Sequence, residues 1–337
     1  LGITENNKLI LNEDEIKTLK TGLEAVNKIS PFIIRAKVPH YIGARMGRPE
    51  KAKPRAMAPP IHSLFPIGLA GGPRRSILKA QEIKIINTEV ANVKCSKCGK
   101  EVSGSLCPIC GSETNITNKC PNCGTETKQE KCPNCKSQTK QYQPRDIDIQ
   151  KIYQDAMKKL NLNSNIDVKC VVGMISASKF PEAIEKGILR SKHDLFVYKD
   201  GTIRYDMTDS PLTHFKPKEV KAPIEKLKKL GYTHDYQGAP LTSEEQILEL
   251  KAQDIVIPHP GAKYLIQISK FIDELLQNHY KQPPYYNINE EKDLIGHLVM
   301  GLAPHTSAAI IGRIIGFTTA HMCYAHPLWH AAKRRNC

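Results

Sequence analysis

The spacing of apolar residues along the chain predicts several helices. Apolar side chains recur at intervals of three and four residues in 16–26, 147–160 and 264–276, which is the periodicity of helices with one buried face. Asn12 is a suitable N-cap for the first of these helices. The apolar stretch 306–320 also follows a helical pattern, and we expect a last helix there.

Other segments have the composition of strands and turns. The dipeptides Ile33-Ile34 and Leu64-Phe65 are β-prone, and frequent prolines and glycines interrupt the region around them, 31–79. This texture predicts compact, loop-rich β structure.

Further along the chain, 168–174 has the composition of a strand, and 140–145 has that of a polar linker. The segment 195–205 predicts a hairpin, in which Asp200 and Gly201 would supply the positive φ angles of a tight turn.

Cysteine spacing provides the strongest local signal. Eight of the 11 cysteines form four C-x-x-C pairs within 94–140, a segment that contains two similar units offset by 25 residues. Each unit is too small to bury a core of its own. Four thiolates in this ribbon spacing favour a closed, structural zinc site over the alternatives, a redox dithiol or an iron–sulfur cluster. The predicted ligands are Cys95, Cys98, Cys107 and Cys110 for the first ion, and Cys120, Cys123, Cys132 and Cys135 for the second.

The charge balance indicates a polyanionic partner. The chain has 49 Lys and Arg against 34 Asp and Glu, a formal net charge of +15. A membrane partner is disfavoured because 306–320 is short for a span and contains Arg313. No signal-peptide pattern is present, and we expect a cytoplasmic protein. The chain begins at Leu1 and ends at Cys337 after a basic run, so we expect an internal piece of a longer protein.

Two clusters of cations are candidates for phosphate binding. In "ARMGRPEKAKPR" the prolines stiffen a loop rich in Lys and Arg, and "GLAGGPRRS" places two arginines beside a glycine turn. A solvated surface loop is the alternative, but the surrounding sequence is apolar and rich in proline, which favours phosphate contact. The candidate residues are Arg45, Arg48, Lys51, Lys53, Arg55, Arg74 and Arg75, with a weaker signal from Lys333, Arg334 and Arg335 near the end of the chain.

Two further groups could be mistaken for metal sites. Cys323, His326 and His330 could hold a metal with His321 nearby, but their apolar surroundings favour simple packing. Asp206 and Asp209 precede Pro211, where Asp commonly makes turn hydrogen bonds, so we expect them to be structural.

Long segments of the chain resemble the large subunit of archaeal family D DNA polymerases. The matching segments are "ARMGRPEKAKPRAMAPPIHSLFPIGLAGGPRRS", "KGILRSKHDLFVYKDGTIRYDMTDSPLTHFKP", "LGYTHDYQGAPL" and "DLIGHLVMGLAPHTSAAIIGRIIGFTTAHMCYAHPLWHAAKRRNC". They occur in the order of the family, and the cysteine units lie between the first and the second.

The resemblance implies an α+β protein with a double-psi β-barrel polymerase core, two inserted zinc-ribbon modules and helical segments. Lys51 and Lys53 would lie near the primer end or the incoming triphosphate. Asn336 and Cys337 would begin the family signature Asn-Cys-Asp-Gly-Asp, whose aspartates bind the catalytic Mg²⁺. The implied division is a helical lead-in at 1–30, a first barrel segment at 31–93, the zinc modules at 94–140, a mixed connecting region at 141–295 and a helical entry to the second barrel at 296–337.

The resemblance also implies partners and an activity. The partners would be a DNA primer-template, dNTPs, a small subunit with 3′–5′ exonuclease activity and a sliding clamp. Because the two aspartates lie beyond Cys337, we expect the 337-residue chain alone to be inactive. Two other functions remain open: a non-catalytic zinc-ribbon module that binds nucleic acid, and a zinc-stabilised assembly scaffold.

Overall fold

The structure is a computed structural model that describes residues 4–5, 8–9, 18–19, 21–30, 33–34, 56–102, 104, 107, 109–302 and 309–333. For residues 4, 5, 8, 9, 29 and 333 it describes the backbone alone. The fold is mixed α+β, as the sequence predicts, and its apolar side chains form two main cores.

The elements of the first half of the chain are short. In chain order they are β1 (Thr4–Glu5), β2 (Lys8–Leu9), α1 (Gly22–Ile29), α2 (Ile77–Gln81), β3 (Ile85–Ala91), β4 (Val93–Cys95), β5 (Glu101–Val102), β6 (Thr114–Ile116), β7 (Asn118–Lys119), β8 (Glu126–Thr127), β9 (Tyr142–Asp148) and α3 (Ile149–Lys159).

The second half contains the longest helix and the largest sheet. Its elements are α4 (Ile184–Lys192), β10 (Thr208–Pro211), β11 (His214–Phe215), α5 (Ile224–Lys229), β12 (Leu248–Glu249), β13 (Asp254–Pro258), α6 (His259–Glu274), a π-helix (Leu275–Tyr280), a 3-10 helix (Glu291–Leu294), β14 (Leu298–Leu302), β15 (Ala309–Thr318), β16 (Met322–Ala325) and α7 (Pro327–Lys333).

The first core lies between an antiparallel ribbon and the helices that follow it. Strands β3 and β9 pair over seven residues, from Ile85 with Asp148 to Ala91 with Tyr142. Alternate residues of β3 are buried, as expected for a strand with one face on a core. Helix α3 begins directly after β9, where the Asp148 carboxylate accepts a hydrogen bond from the Lys151 N–H at 2.9 Å.

A buried ion network ties this core together. Lys159 of α3 lies 3.1 Å from the Glu185 carboxylate of α4, and His279 of the π-helix lies 3.4 Å from it. Burial would raise the pKa of Glu185, but the hydrogen bond with His279 and the charge of Lys159 outweigh burial and lower the pKa to about 2. The carboxylate is therefore charged and joins three helical segments.

The second core surrounds a mixed, curled half-barrel sheet with the strand order β10-β16-β13-β15-β14. Strand β13 is parallel to β15 and antiparallel to β16, and β10 is parallel to β16. Near its middle, Arg313 of β15 donates to both oxygens of Asp254 in β13, at 2.8 and 2.7 Å. Tyr232 donates to the same carboxylate at 2.6 Å, so the buried charge is fully paired.

Strand β15 contradicts the helix predicted for 306–320. Residues 309–318 form a strand, and 303–308 lie outside the described residues. The paired isoleucines Ile310-Ile311 and Ile314-Ile315 are β-branched, and the strand is buried on both faces from Ile314 to Phe317. A short buried apolar run of this kind fits a helix and a strand equally well by periodicity, so the prediction was wrong.

Three further predictions need correction. The segment 140–145 overlaps β9 and is not a linker. At 195–205 a turn closes between Tyr198 and Thr202, but no ladder of paired strands follows, and of Asp200 and Gly201 only Gly201 has a positive φ (82°). The segment 168–174 is not a ladder strand but forms isolated bridges, such as Val171 with Pro66.

The remaining local predictions concern helices and two β-prone dipeptides, and only some of them are confirmed. The periodic segments 147–160 and 264–276 contain the helices α3 and α6. The first predicted helix begins later than expected: α1 starts at Gly22 with Thr21 as its N-cap, and residues 18–19 are not helical. Asn12, the predicted N-cap, lies outside the described residues. Neither Ile33-Ile34 nor Leu64-Phe65 belongs to a strand. Among the helices of the described residues, none has the length and apolar character needed to cross a bilayer.

We predict that Gly316→Ala destabilises the protein. A Cβ at Gly316 would lie 2.5 Å from the Val220 carbonyl oxygen and 2.7 Å from the Val220 Cβ, and β15 is fixed there by its neighbours. Overpacking of this kind lowers the free energy of unfolding by about 1–3 kcal/mol, measurable by denaturant unfolding.

Gly173→Ala is the matched control, because a Cβ there would meet no atom within 4 Å. It should change the free energy of unfolding by less than about 0.5 kcal/mol. Equal stability of the two variants would contradict the packing described for β15.

Candidate metal centres and phosphate-binding loop

The first cysteine unit brings its four sulfurs together. The Sγ atoms of Cys95 and Cys110 lie 3.3 Å apart, and those of Cys98 and Cys107 lie 3.6 Å apart. All four sulfurs lie within 4.8 Å of one another. A zinc ion with four Zn–S bonds of about 2.3 Å requires sulfurs about 3.8 Å apart, so this cluster has the dimensions of a zinc site with four cysteine ligands.

The second unit repeats this arrangement. Cys120 and Cys135 have sulfurs 3.3 Å apart, and Cys123 and Cys132 have sulfurs 3.4 Å apart. In both units the first cysteine of each C-x-x-C pair is buried and the second is exposed. The spacing-based prediction that the two sets of four cysteines converge is confirmed.

Four tight turns shape these clusters. In each, a backbone N–H donates to the carbonyl of the first cysteine of the pair, as in Gly99 to Cys95 at 3.1 Å. Gly99, Gly111 and Gly124 have φ between 68° and 71°, the left-handed region in which glycine avoids a Cβ clash. The fourth turn uses Lys136 at φ 59°.

Local hydrogen bonds favour thiolates at two of the exposed positions. The backbone N–H and hydroxyl of Ser112 lower the pKa of Cys110 to about 6. The hydroxyl and N–H of Thr125 lower the pKa of Cys123 to about 6. Deprotonated sulfur is the form that binds a metal ion.

A third exposed thiol behaves in the opposite way. The Lys100 N–H would lower the pKa of Cys98, but the neighbouring Cys95 sulfur and burial raise it to about 11. Four sulfurs at such short distances cannot all carry charge without a cation between them. The donor set therefore fits a divalent, thiophilic ion.

The two cysteine units are joined to each other and to the ribbon. Lys94 pairs with Glu126, which links the first unit to the second. Glu101 pairs with Arg145 of β9 at 2.6 Å and with Lys119 at 3.7 Å. These ion pairs hold the units against the β3–β9 ribbon from which they emerge.

Most of the predicted phosphate-binding loop lies outside the described residues, including Arg45, Arg48, Lys51, Lys53 and Arg55. Arg74 is exposed and Arg75 is partly exposed, and in the described part of the chain neither forms an ion pair. The turn that carries them is tightly packed at Gly71, where a Cβ would lie 2.5 Å from the Ile67 side chain.

A buried network fixes the chain shortly after the predicted loop. One oxygen of Glu182 accepts hydrogen bonds from the Ser63 hydroxyl at 3.1 Å, the Leu64 N–H at 2.6 Å and Arg190 at 2.7 Å. Arg190 also donates to the His62 carbonyl at 3.0 Å. The segment 62–64 is thereby attached to α4.

His62 is neutral within this network. Burial and the charge of Lys169 lower the pKa of its imidazole to about 4. The Nδ1 atom accepts a hydrogen bond from the Lys169 N–H at 3.2 Å, so the hydrogen of the neutral ring lies on Nε2. This network was not foreseen, because its members are up to 128 residues apart.

The end of the chain is described only as far as Lys333, and that residue only by its backbone. Arg334, Arg335, Asn336 and Cys337 lie outside the described residues. Among those described, the two cysteine clusters have the geometry of a metal site, and Cys323, His326 and His330 are not brought together in such a group.

The two aspartates before Pro211 do not make the turn hydrogen bonds expected of them. Asp206 accepts a hydrogen bond from the Tyr198 hydroxyl at 3.1 Å. Asp209 lies in β10 and contacts His330 of α7, with 2.7 Å between its Oδ2 and the imidazole Nδ1. A buried aspartate in a strand is the signal that could have drawn attention to this pair.

Two family models match the chain. One, described as "DNA polymerase II large subunit DP2, catalytic domain", matches residues 161–337. Another, described as "DNA polymerase II large subunit DP2, central domain", matches residues 1–129. The first includes every strand of the five-stranded sheet. The second includes the first cysteine unit and two cysteines of the second unit, Cys120 and Cys123.

Curated relatives agree with these matches. The chain is 48% identical over 333 residues to the DNA polymerase II large subunit of Pyrococcus horikoshii, covering 96% of this chain and 23% of the relative. It is 50% identical over 327 residues to the large subunit of Archaeoglobus fulgidus, covering 94% of this chain and 29% of the relative. It is 45% identical over 347 residues to the large subunit of Methanosphaera stadtmanae, covering 98% of this chain and 29% of the relative.

The chain thus spans between a fifth and a third of the length of these relatives. The matches nevertheless cover nearly all of this chain, and the catalytic-domain model alone covers more than half of it. The chain therefore belongs to the family of DNA polymerase II large subunits.

Proposed function

We propose that this chain supplies part of the catalytic centre of a DNA-directed DNA polymerase that acts in DNA replication. The observation that carries this proposal is the match of residues 161–337 to the catalytic-domain model of the family. The formal net charge of +15 supports a polyanionic substrate. The reaction would be template-directed nucleotidyl transfer from dNTPs to a primer end.

The proposed core is a pair of double-psi β-barrels, the first within 31–93 and the second beginning within 296–337. Strands β14, β15 and β16 of the second segment belong to the curled sheet, in which parallel and antiparallel neighbours are mixed. This mixed, curled half-barrel sheet is what supports the assignment.

The basic side chains would orient the substrate phosphates. Lys51 and Lys53 would contact the primer end or the incoming triphosphate, with Asn336 beside them. Mg²⁺, when bound, would neutralise the charge that develops on the phosphates, and its main ligands would be the aspartates that follow Cys337 in the family signature. Contacts to backbone phosphates would come from Arg45, Arg48, Arg55, Arg74, Arg75, Lys333, Arg334 and Arg335.

The two cysteine clusters would each hold one structural zinc ion. Four thiolates close the coordination shell and leave no position for substrate or water, so neither ion would take part in the reaction. Their contribution would be to fold units that have little core of their own.

The whole polymerase would include further partners. A small subunit would supply 3′–5′ exonuclease activity, and a sliding clamp would hold the assembly on DNA. Both are proposed from the resemblance to the family, and no contact within the described residues identifies either surface.

We predict that substitution of one exposed cysteine in a unit removes the zinc ion of that unit. In the complete large subunit, Cys98→Ser and Cys123→Ser should each reduce the zinc measured by elemental analysis by about one ion per chain. The double variant should lose about two. Cys170→Ala is the control, because Cys170 is buried outside both clusters. Full zinc content in the double variant would exclude these sites.

We predict that Lys51→Ala and Lys53→Ala in the complete large subunit, assembled with its small subunit, lower nucleotide incorporation. Loss of a charge that stabilises the transferring phosphate costs about 10²-fold or more in kcat, measurable by single-turnover primer extension. The control removes two exposed lysines of α5, Lys228→Ala with Lys229→Ala, which lie outside the predicted phosphate-binding segments. Unchanged incorporation would remove Lys51 and Lys53 from the site.

We predict that Arg74→Gln with Arg75→Gln weakens DNA binding in a salt-dependent way. Each phosphate contact that is lost makes the logarithmic salt dependence shallower by about 0.9, so the double variant should differ by about 2. Fluorescence anisotropy over a salt series measures this slope. The same α5 double variant removes equal charge and should keep the slope. If the arginine variant binds DNA with the same affinity and the same salt dependence as the unsubstituted protein, Arg74 and Arg75 do not contact phosphates.

A further inference from the structure

Asp209 is an unusual residue in the five-stranded sheet. Its side chain is fully buried (0% exposed) in β10, beside Cys323 of β16. Its Oδ2 lies 2.7 Å from the Nδ1 of His330. Its Oδ1 is also buried and has no hydrogen-bond partner among the described residues. A carboxylate that is buried and only half satisfied is costly, so its presence calls for an explanation.

The sheet itself provides a contrast. The Asp254 carboxylate is almost equally buried, but it accepts two hydrogen bonds from Arg313 and one from Tyr232. That pair satisfies its charge and joins adjacent strands, which is sufficient as a structural role. Asp209 instead directs its one hydrogen bond out of the sheet, to a helix.

Helix α7 is held by two adjacent residues. Trp329 is buried, and its indole N–H donates to the Ile311 carbonyl of β15 at 3.3 Å. His330 contacts Asp209 of β10, an edge strand of the sheet, which is separated from β15 by β16 and β13. Two attachments to different strands fix the tilt and the rotation of a short helix, whereas apolar packing alone would leave both less determined.

The pair also determines the state of the imidazole. A carboxylate accepts hydrogen bonds, so the His330 Nδ1 must carry its hydrogen. The helix continues for one turn beyond His330 to Lys333, and three residues later the chain reaches Asn336.

We propose that Asp209 and His330 form a positioning pair, which fixes the orientation of α7 against the sheet and thereby the placement of the helix that directly precedes the family signature in the sequence. This inference rests on the proposed function. Asp209 is a positioning residue, acting through His330, because it is buried and cannot reach the substrate.

The test uses the complete large subunit with its small subunit, and the variants Asp209→Asn and His330→Leu. Both should lower kcat for primer extension by about 10²-fold, since a misplacement of about 1 Å has this effect. Both should also raise the Mg²⁺ concentration required for half-maximal rate, because the metal ligands of the family signature follow Asn336. The dissociation constant for primer-template should stay within about twofold.

Two further variants separate positioning from stability. Asp254→Asn breaks the other buried carboxylate pair of the sheet, and it should lower Tm without changing the Mg²⁺ requirement. His330→Asn keeps an N–H donor close to the position of Nδ1, and it should recover part of the kcat lost in His330→Leu. Hydrogen exchange of the α7 amides should accelerate in Asp209→Asn but not in Asp254→Asn.

The outcomes are distinct. If Asp209→Asn and His330→Leu lower Tm yet keep the kcat and the Mg²⁺ requirement of the unsubstituted complex, the pair is structural and the inference is overturned. Unchanged exchange of the α7 amides in Asp209→Asn would also overturn it. An unsubstituted complex that does not extend primers would instead refute the proposed function, and the inference with it.

Discussion

The structure of the second half of the chain depends on the neutralisation of one cation inside a sheet. Arg313 interrupts an otherwise apolar run, and an unpaired guanidinium at this position would be strongly destabilising. Arg313 donates two hydrogen bonds to Asp254 in the neighbouring parallel strand β13. It also donates to the Leu230 carbonyl at 3.1 Å. Because this pair works only when β13 and β15 are in their observed register, the polar contact specifies how the apolar strands align.

A comparable principle operates in the first core, where carboxylates join segments that are distant in sequence. Glu182 accepts hydrogen bonds from the segment 62–64 and thereby attaches it to α4. Glu185 of α4 contacts Lys159 of α3 and His279 of the π-helix. The lowered pKa of Glu185 shows that these attachments outweigh the cost of burial. In both cores, apolar burial provides the bulk of the stability and a few paired charges define the geometry.

The sequence predicts some local features of this fold, but it does not predict the contacts between distant residues. The cysteine clusters follow from spacing, because each C-x-x-C turn is a local structure that brings two sulfurs together. The long helix α6 follows from its periodicity. Strand β15 was mistaken for a helix, because a short run buried on both faces has no distinctive period.

The site shows the same division between local and distant signals. The candidate cations are visible in the sequence as charge beside proline and glycine, although most of them lie outside the described residues. The contact of Asp209 with His330 joins residues 121 positions apart, and no spacing rule connects them. Such contacts depend on the topology of the sheet, which a single sequence does not determine.

The way the cysteine units leave the ribbon has a consequence for how this region can vary. Ala91 at the end of β3 pairs with Tyr142 at the start of β9, and the Asn92 N–H donates to the Gln141 carbonyl at 2.7 Å. The points of departure and return are thus adjacent, and the ribbon itself brings them together. The cysteine-rich segment is therefore an insertion between two paired strands. Lengthening, shortening or exchanging it would leave the connectivity of both cores intact.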